Sequence, residues 1–308
     1  MKLLSYAVDG RETFGIVTDA GVIDLGRRVR ARTLRELIAT APETIGDHAG
    51  EPADHDLADI SFLPPITDPG MIICLGLNTY SHLEEYRARN GADAPPPGKP
   101  WVFLRMARTV TGHGQELIRP NASPLLDYEG EIALIIGKRA RHVTPEEALD
   151  VIFGYSCFNE GSVRDFQVHS PLYTAGKNFP RSGSFGPWIV TADEIADVRD
   201  FRLTTRLNGE VVQEMRYDDL IFGFAESIAY ISSFTELEPG DVIVSGTPAG
   251  VAIMREPQLW LKAGDMCEVE VSGIGTLRNI VADARGRDRG PVTRDDAAAA
   301  YNEAFGAK

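Results

Sequence analysis

The fold of this chain is decided by two stretches, DYEGEIALIIG at residues 127–137 and GYSCFNEGSVRDFQ at residues 154–167. Glu129 and Glu131 stand two positions apart in the first stretch, so in a strand both carboxylates leave the same face while Gly130 points away. Two neighbouring carboxylates repel each other unless they share a proton or a cation. Glu160 in the second stretch could supply a third carboxylate. The stretches therefore predict a metal site.

A solvated strand face is the alternative for Glu129 and Glu131, because pairs of charged residues are common on exposed strands. The continuous apolar run at 132–136 disfavours that alternative, since it predicts a strand that is buried on both faces. Two buried carboxylates at the start of such a strand would need partners.

The segment between the two stretches carries the start signals of a helix. Thr144 can cap it, Pro145 takes the first helical position, and Glu147 completes a Thr-x-x-Glu capping box. Such a crossover would bring the second stretch back beside the first, with Glu160 near the other two glutamates.

Composition and charge narrow the class of protein. The chain has 308 residues, of which 43% are hydrophobic and 25% charged, as in ordinary soluble globular enzymes. The net charge of −14 argues against binding to nucleic acid, which depends on a basic surface. An anionic substrate would therefore need a bound cation or a few well-placed Arg and Lys side chains.

The three cysteines are too few and too scattered for a disulfide scaffold or a cysteine-rich zinc site, which fits a reducing compartment. The N-terminal residues reach Asp9 before a signal-peptide core could form, and no run approaches about 18 consecutive apolar residues. We expect a cytoplasmic protein with no export signal and no membrane span.

Three segments are predicted. Residues 1–66 form a small N-terminal β-rich module, with a hairpin around Asp9-Gly10. Residues 67–285 form the catalytic domain, which includes a second hairpin around Asn208-Gly209 and a long helix whose apolar residues begin at Leu220. Residues 286–308 form a peripheral C-terminal tail.

Two further sites of interest lie outside the glutamate stretches. His82 and Glu85 lie three apart, so on a helix they share a face, as the members of a general-base pair would. An exposed ion pair explains the same spacing. Lys177 stands alone in a glycine-containing segment, where a solvated side chain is the ordinary interpretation.

Taken together, these residues resemble the fumarylacetoacetate hydrolase family over roughly residues 70–283. The resemblance rests on motifs that occur in order along the chain: GLNTYSHLEE at 76–85, YEGEIALIIG at 128–137, GYSCFNEGSVRDFQ at 154–167, GKNF at 176–179, GPW at 186–188 and GDVIVSGTPAGV at 240–251. It implies an α+β, mostly β fold, a mixed β-sheet roll, usually in a homodimer.

The resemblance also implies roles for individual residues. The metal ligands for Mg²⁺ or Mn²⁺ would be Glu129, Glu131 and Glu160; the catalytic residues would be His82, Glu85 and Lys177; and the residues that bind substrate oxygens would be Arg164, Gln167 and Thr247. The family usually has aspartate where this chain has Glu160, and the extra methylene could shift the metal or make Glu160 bind through water.

The activity we expect is metal-dependent hydrolytic cleavage of a carbon–carbon bond in a β-diketo acid of the acylpyruvate type, through an enolate held at the metal. The substrate would be a small anionic 2-oxo acid. Isomerisation (tautomerisation) or decarboxylation of a related 2-oxo dicarboxylic acid is the alternative within enzymes, because the same enolate serves those reactions. A non-catalytic metabolite-binding protein with this fold is the alternative from another class.

Overall fold

The computed structural model describes residues 1–90 and 95–285. The predicted tail at 286–308 lies outside the described residues. No helix in the described part of the chain is both long enough and apolar enough to cross a membrane.

Strands and helices are numbered in chain order. The strands are β1 Lys2–Val8, β2 Arg11–Thr18, β3 Gly21–Asp24, β4 Ser61–Phe62, β5 Ile72–Gly76, β6 Trp101–Arg105, β7 Val110–Thr111, β8 Leu117–Arg119, β9 Leu126–Asp127, β10 Gly130–Ile136, β11 Ile152–Asn159, β12 Ser162–Val163, β13 Gly183–Thr191, β14 Arg202–Leu207, β15 Glu210–Arg216, β16 Val242–Val244, β17 Met266–Val271 and β18 Gly275–Asp283. The α-helices are α1 Leu34–Thr40, α2 Tyr80–Asn90, α3 Pro145–Ala148, α4 Arg164–Gln167, α5 Thr174–Lys177 and α6 Phe224–Phe234.

A large mixed sheet forms the centre of the molecule, with the strand order β3-β2-β1-β13-β11-β10-β16-β5-β6. Most neighbours in it are antiparallel, whereas β16 and β5 run parallel. The strands of segment 1–66 belong to this sheet, because β1 pairs with β13. The predicted mixed β-sheet fold, with its α+β and mostly β character, is confirmed.

Strand β10 lies in the interior of this sheet and is buried along its whole length, as its apolar run predicts. Gly130 faces the second sheet, and a Cβ atom there would lie 2.0 Å from the Thr205 hydroxyl oxygen. Glu129 and Glu131 therefore leave the opposite face, as the two-residue period requires.

Both faces of the large sheet are covered. On one face lie the second sheet, with the order β15-β14-β17-β18-β8, and helix α6, through residues such as Val269 and Ile228. On the other face lies α1, through Leu34 and Leu37. Two covered faces leave the ends of the strands as the place where side chains can reach a ligand.

The predictions for individual hairpins and helices are confirmed at some positions and wrong at others. Both hairpins form where their Asp-Gly and Asn-Gly turns predict them, and the capping box of Thr144 and Glu147 is present. The crossover helix is only the single turn α3, but it does return β11 antiparallel to β10. The prediction that the long helix includes Leu220 is wrong: α6 begins at Phe224, because Leu220 pairs with Thr79 in an isolated bridge.

Candidate active site and metal centre

Three glutamates meet where β10 begins and β11 ends. Glu129 directly precedes β10, Glu131 is its second residue, and Glu160 directly follows β11; the register that pairs Gly130 with Asn159 sets them side by side. One carboxylate oxygen from each lies within 4.8 Å of the others, and each residue is at most 4% exposed. The structure thus brings together the three residues predicted as metal ligands.

Glu129 is held by two cations. Its Oε1 accepts from Arg164 at 2.7 Å, and its Oε2 accepts from the Lys177 amine at 2.5 Å and from the Ser162 hydroxyl at 3.0 Å. Burial alone would raise the pKa of Glu129, but Arg164 and Lys177 more than offset it and lower that pKa far below its ordinary value. Glu129 is therefore ionised at neutral pH.

Glu131 has no cation in direct contact among the described residues. Its Oε2 accepts from the Gly246 amide at 2.5 Å. Gly246 adopts a φ of 94°, and a Cβ there would lie 2.7 Å from Cβ of Asn78, so glycine is required for this close approach. Burial, followed by the neighbouring carboxylates of Glu160 and Glu129, raises the pKa of Glu131 well above its ordinary value.

Glu160 is held by two cations of different kinds. Its Oε2 accepts from Lys177 at 2.7 Å, and its Oε1 accepts from Arg105 at 3.4 Å. Burial raises the pKa of Glu160, and the contacts with Lys177 and Arg105 offset that rise only in part. Glu131 and Glu160 thus favour a bound proton or cation between them.

The donor set fits a hard divalent cation such as Mg²⁺ or Mn²⁺, because it consists of carboxylate oxygens and contains no sulfur or imidazole. Among the described residues at the site, the buried charges are the carboxylates of Asp127, Glu129, Glu131 and Glu160 and the cations Arg105, Arg164 and Lys177. A bound divalent cation would add positive charge to this site, which suits an anionic ligand.

Lys177 is a buried member of the site rather than a solvated side chain. It ends α5 and is 3% exposed, and its amine lies 5.1 Å from the centre of the Phe103 ring. Burial favours the neutral amine, but Glu129 and Glu160 outweigh it and raise the pKa of Lys177. The lysine is therefore charged, and it bridges two of the glutamates.

His82 and Glu85 form the predicted pair on α2. The Nδ1 atom of His82 lies 3.0 Å from Oε2 of Glu85, and Oε1 of Glu85 accepts from the Gly250 amide at 2.9 Å. The amide fixes the carboxylate, and the carboxylate fixes the imidazole, which leaves Nε2 of His82 for proton transfer.

The three predicted substrate-binding residues line the same cavity, and each also has contacts of its own. Arg164 donates to Asp127 at 2.8 Å and to Gln167 at 2.8 Å. The Thr247 hydroxyl donates to the Gly130 carbonyl at 3.0 Å and accepts from Gln213 at 2.9 Å. These contacts fix the orientation of Arg164 and Thr247.

A cavity of about 170 Å³ connects these groups. Its polar floor is formed by the glutamates with His82, Lys177, Arg164, Gln167 and Thr247. The other lining residues are mostly apolar, some aliphatic and some aromatic, and include Trp101, Phe103 and Tyr173. All nine predicted site residues except Glu85, which contacts His82, therefore line one cavity.

Two residues of the site were missed by the sequence analysis. Asp127 is fully buried and accepts from Arg164 and from the amides of Ala252 and Ile253. Arg105 is buried beside Glu160. The available signal for Arg105 was a charged residue at the end of the apolar run of β6, and for Asp127 it was a third acidic residue at the start of the decisive stretch.

Fold and site together define a mixed β-sheet protein with a buried carboxylate centre beside a histidine–glutamate pair. The sequence profile described as the fumarylacetoacetate (FAA) hydrolase C-terminal domain matches residues 71–282. The chain belongs to the fumarylacetoacetate hydrolase family, as its motifs predicted, and named members of that family are enzymes.

Individual relatives carry different activities in their names. The human protein named oxaloacetate tautomerase, mitochondrial, is 33% identical over 226 residues, which are 73% of this chain and 70% of that protein. The structure of a fumarylacetoacetate hydrolase from psychrophilic Exiguobacterium antarcticum is 32% identical, covers 92% of this chain and 100% of its own, and has a TM-score of 0.77. The maleylpyruvate hydrolase from Sphingobium sp. SYK-6, determined with manganese(II) and pyruvate, has the same fold, with 24% identity, the same coverages and a TM-score of 0.76.

Proposed function

We propose that this protein is a divalent-metal-dependent hydrolase that cleaves a carbon–carbon bond in a small anionic β-diketo acid of the acylpyruvate type. The observation that carries the proposal is the single cavity shared by the buried glutamates, His82 and Lys177. The similarity to the fumarylacetoacetate hydrolase of Exiguobacterium antarcticum, which extends over 92% of this chain, supports a hydrolytic reaction.

Glu129, Glu131 and Glu160 would hold Mg²⁺ or Mn²⁺. When bound, such a cation polarises the carbonyl of a 2-oxo acid and stabilises negative charge that develops on its oxygen. The protein chain contributes the fixed orientation of the carboxylates: Gly246 orients Glu131, Arg164 orients Glu129, and Lys177 joins Glu129 to Glu160.

His82 would take the proton from the attacking water through Nε2. Its Nδ1 atom is engaged by Glu85, which stabilises the charged imidazolium after the transfer. Because the Gly250 amide holds Glu85, the imidazole keeps its orientation during the transfer.

Lys177 would donate to the substrate oxygen on which negative charge accumulates. An ammonium group has three N–H donors, of which two contact Glu129 and Glu160, so one is left for the substrate. Arg164 and Gln167 would bind carboxylate oxygens of the substrate at the same end of the cavity.

The lining of the cavity suits the two ends of such a substrate. The side chains of Trp101, Phe103 and Tyr173 would contact the acyl end, and the charged groups would contact the oxo acid end.

Tautomerisation of oxaloacetate is the second candidate, because the human relative at 33% identity is named for that reaction. The same His82–Glu85 pair would then move a proton between carbon and solvent, and no water would attack the substrate. The two candidates differ in their products: hydrolysis yields two carboxylic acids, whereas tautomerisation speeds the interconversion of the keto and enol forms of one molecule and breaks no carbon–carbon bond.

The test uses metal-stripped protein reloaded with Mn²⁺ and a panel of acylpyruvates, with products followed by NMR. We expect two carboxylic acid products from each molecule cleaved, and none without the metal. Accelerated keto–enol exchange of oxaloacetate without cleavage of any acylpyruvate would replace the first candidate with the second. Neither reaction, together with tight binding of 2-oxo acids, would favour a non-catalytic binding protein.

A further inference from the structure

Arg105 is a buried arginine beside the metal centre to which no role has been assigned. It is the last residue of β6, the strand at the edge of the large sheet that pairs with β5. Its side chain is fully buried, and it faces the loop that follows β11. Burying a guanidinium costs free energy unless its N–H donors are satisfied, so the partners of Arg105 indicate its role.

The contacts of Arg105 fix the guanidinium on three sides. One terminal nitrogen donates to the Gly161 carbonyl at 3.1 Å and to Oε1 of Glu160 at 3.4 Å. The other donates to the Ser182 hydroxyl at 2.6 Å, and Nε donates to the Thr109 hydroxyl at 3.1 Å. Gly183 leaves room for it, because a Cβ there would lie 2.6 Å from the guanidinium.

Glu160 is the residue in which this chain departs from the aspartate that the family resemblance implies. The extra methylene would give the carboxylate a longer and freer arm. Here both of its oxygens are held, Oε2 by Lys177 and Oε1 by Arg105, while Arg105 also binds the backbone of the next residue, Gly161. The Glu160 side chain is thus held at its carboxylate, and the backbone that follows it is held at the Gly161 carbonyl.

We propose that Arg105 is a positioning residue that holds the Glu160 carboxylate in place as a metal ligand. The inference rests on the proposed metal centre and deepens it. Groups that contact a metal ligand from behind orient it, and their removal commonly weakens metal binding about 10- to 100-fold.

A purely electrostatic role makes the opposite prediction. Arg105 carries a positive charge near the cation site, so its removal would strengthen binding of a cation if repulsion were its main effect. If positioning is its main effect, its removal weakens binding. The direction of the change in affinity therefore separates the two roles.

The experiment measures Mn²⁺ affinity of the metal-stripped full-length protein by calorimetry, together with the Mn²⁺ EPR spectrum. Arg105→Met is expected to weaken binding about 10- to 100-fold and to broaden the EPR lines, because the ligand geometry becomes less uniform. Arg108→Met is the matched control, since Arg108 is exposed on the same segment, and it should leave both measurements unchanged.

A double-mutant cycle shows whether Arg105 acts through Glu160. In a Glu160→Gln background, Arg105→Met should cause little further loss of affinity. If Arg105→Met does not fold, Arg105→Lys replaces it, because lysine keeps the charge but cannot make the same set of contacts. It should also weaken binding.

Two results would overturn the inference: unchanged or tighter Mn²⁺ binding by the Arg105 variant, or an equal loss in both backgrounds. Failure of the proposed metal centre would look different, because the wild-type protein itself would then bind no Mn²⁺. Failure of the proposed hydrolysis alone would leave the Mn²⁺ affinity of the wild type and its loss in the Arg105 variant unchanged.

Discussion

Glu129 and Glu131 show that surroundings, and not residue type, set the charge of a carboxylate in this site. They lie two residues apart on one face, yet the pKa of Glu129 is lowered and that of Glu131 is raised. Burial raises the pKa of both residues. The two differ because Arg164 and Lys177 contact Glu129, whereas Glu131 accepts a hydrogen bond from a backbone amide. Glu131 is therefore the ligand that gains most from a cation.

Glu131→Gln should reduce Mn²⁺ affinity at least about 100-fold while leaving the metal-free protein as stable or more stable, because glutamine removes an ionisable group that is unfavourably buried beside two other carboxyl groups. Calorimetric titration and thermal unfolding measure the two effects. Glu146→Gln, at an exposed position, is the control. Wild-type affinity in the Glu131 variant would remove this residue from the ligand set.

His82→Ala should leave Mn²⁺ affinity unchanged and lower kcat about 10²- to 10⁴-fold, because it removes the proton acceptor but no metal ligand. His48→Ala is a matched control: His48 contacts Glu51 through Nδ1 at 2.6 Å with the same three-residue spacing, but away from the cavity. Retained turnover in the His82 variant would contradict its role as the base.

Helix α2, which carries the proposed base His82 and its partner Glu85, is fixed in place at its N-terminus. The Thr79 hydroxyl accepts from the His82 amide at 3.3 Å, and Asp219 accepts from the amide and the hydroxyl of Ser81 at 2.9 and 2.5 Å. Asp219 thus caps the helix from a distant segment, and its charge is favourable at a helix N-terminus.

Asp219→Ala should destabilise the start of α2 by about 1 kcal/mol and speed amide hydrogen exchange in its first turns by roughly fivefold. Exchange mass spectrometry of the peptides that cover α2 makes the measurement. Asp218→Ala, one residue away and without a contact to Ser81, is the control. Equal exchange in the two variants would show that Asp219 does not hold the helix.

Elements with local signals were predictable from the sequence, whereas contacts between distant residues were not. The apolar run of β10 and the Asn-Gly turn specify a strand and a hairpin within a few residues. The Arg105–Glu160 contact joins positions 55 apart, and the Asp219–Ser81 contact joins positions 138 apart. Leu220 was misassigned to a helix for the same reason, since its pairing with Thr79 is invisible to a periodicity within one segment.

At the scale of the whole molecule, the large sheet gathers groups from separate segments into one buried site. Its interior strands β10 and β11 supply the carboxylates, while the segments around them supply Arg105, His82 and Lys177. Such a cluster of buried charge lowers stability unless every charge is compensated. A bound cation should therefore contribute to the stability of the fold as well as to catalysis.

Mn²⁺ at about 100 times its Kd should stabilise the protein by about 2.7 kcal/mol, seen as a rise of several degrees in Tm. The rise should be larger near pH 8 than near pH 6. Because the pKa values of Glu131 and Glu160 are raised, these two carboxyl groups stabilise the metal-free protein at low pH. Their contribution to stability is lost as the pH rises through the raised pKa values. The pKa of Glu129 is lowered, so its contribution to stability changes only at pH values far below the range from pH 6 to pH 8.

Thermal scans with and without Mn²⁺ at the two pH values make this measurement, with Glu131→Gln as the control that should lose most of the gain. A Tm gain that is larger near pH 6 than near pH 8 would show that protons do not compete with Mn²⁺ for these carboxylates.

The central claim is that Glu129, Glu131 and Glu160 hold a divalent cation to which a 2-oxo acid binds. A crystal structure of the protein with Mn²⁺ and oxalate, with anomalous diffraction recorded for manganese, tests it most directly. We predict one anomalous peak about 2.2 Å from an oxygen of each glutamate, with oxalate in contact with it. A peak at other residues, or none at saturating Mn²⁺, would contradict the account.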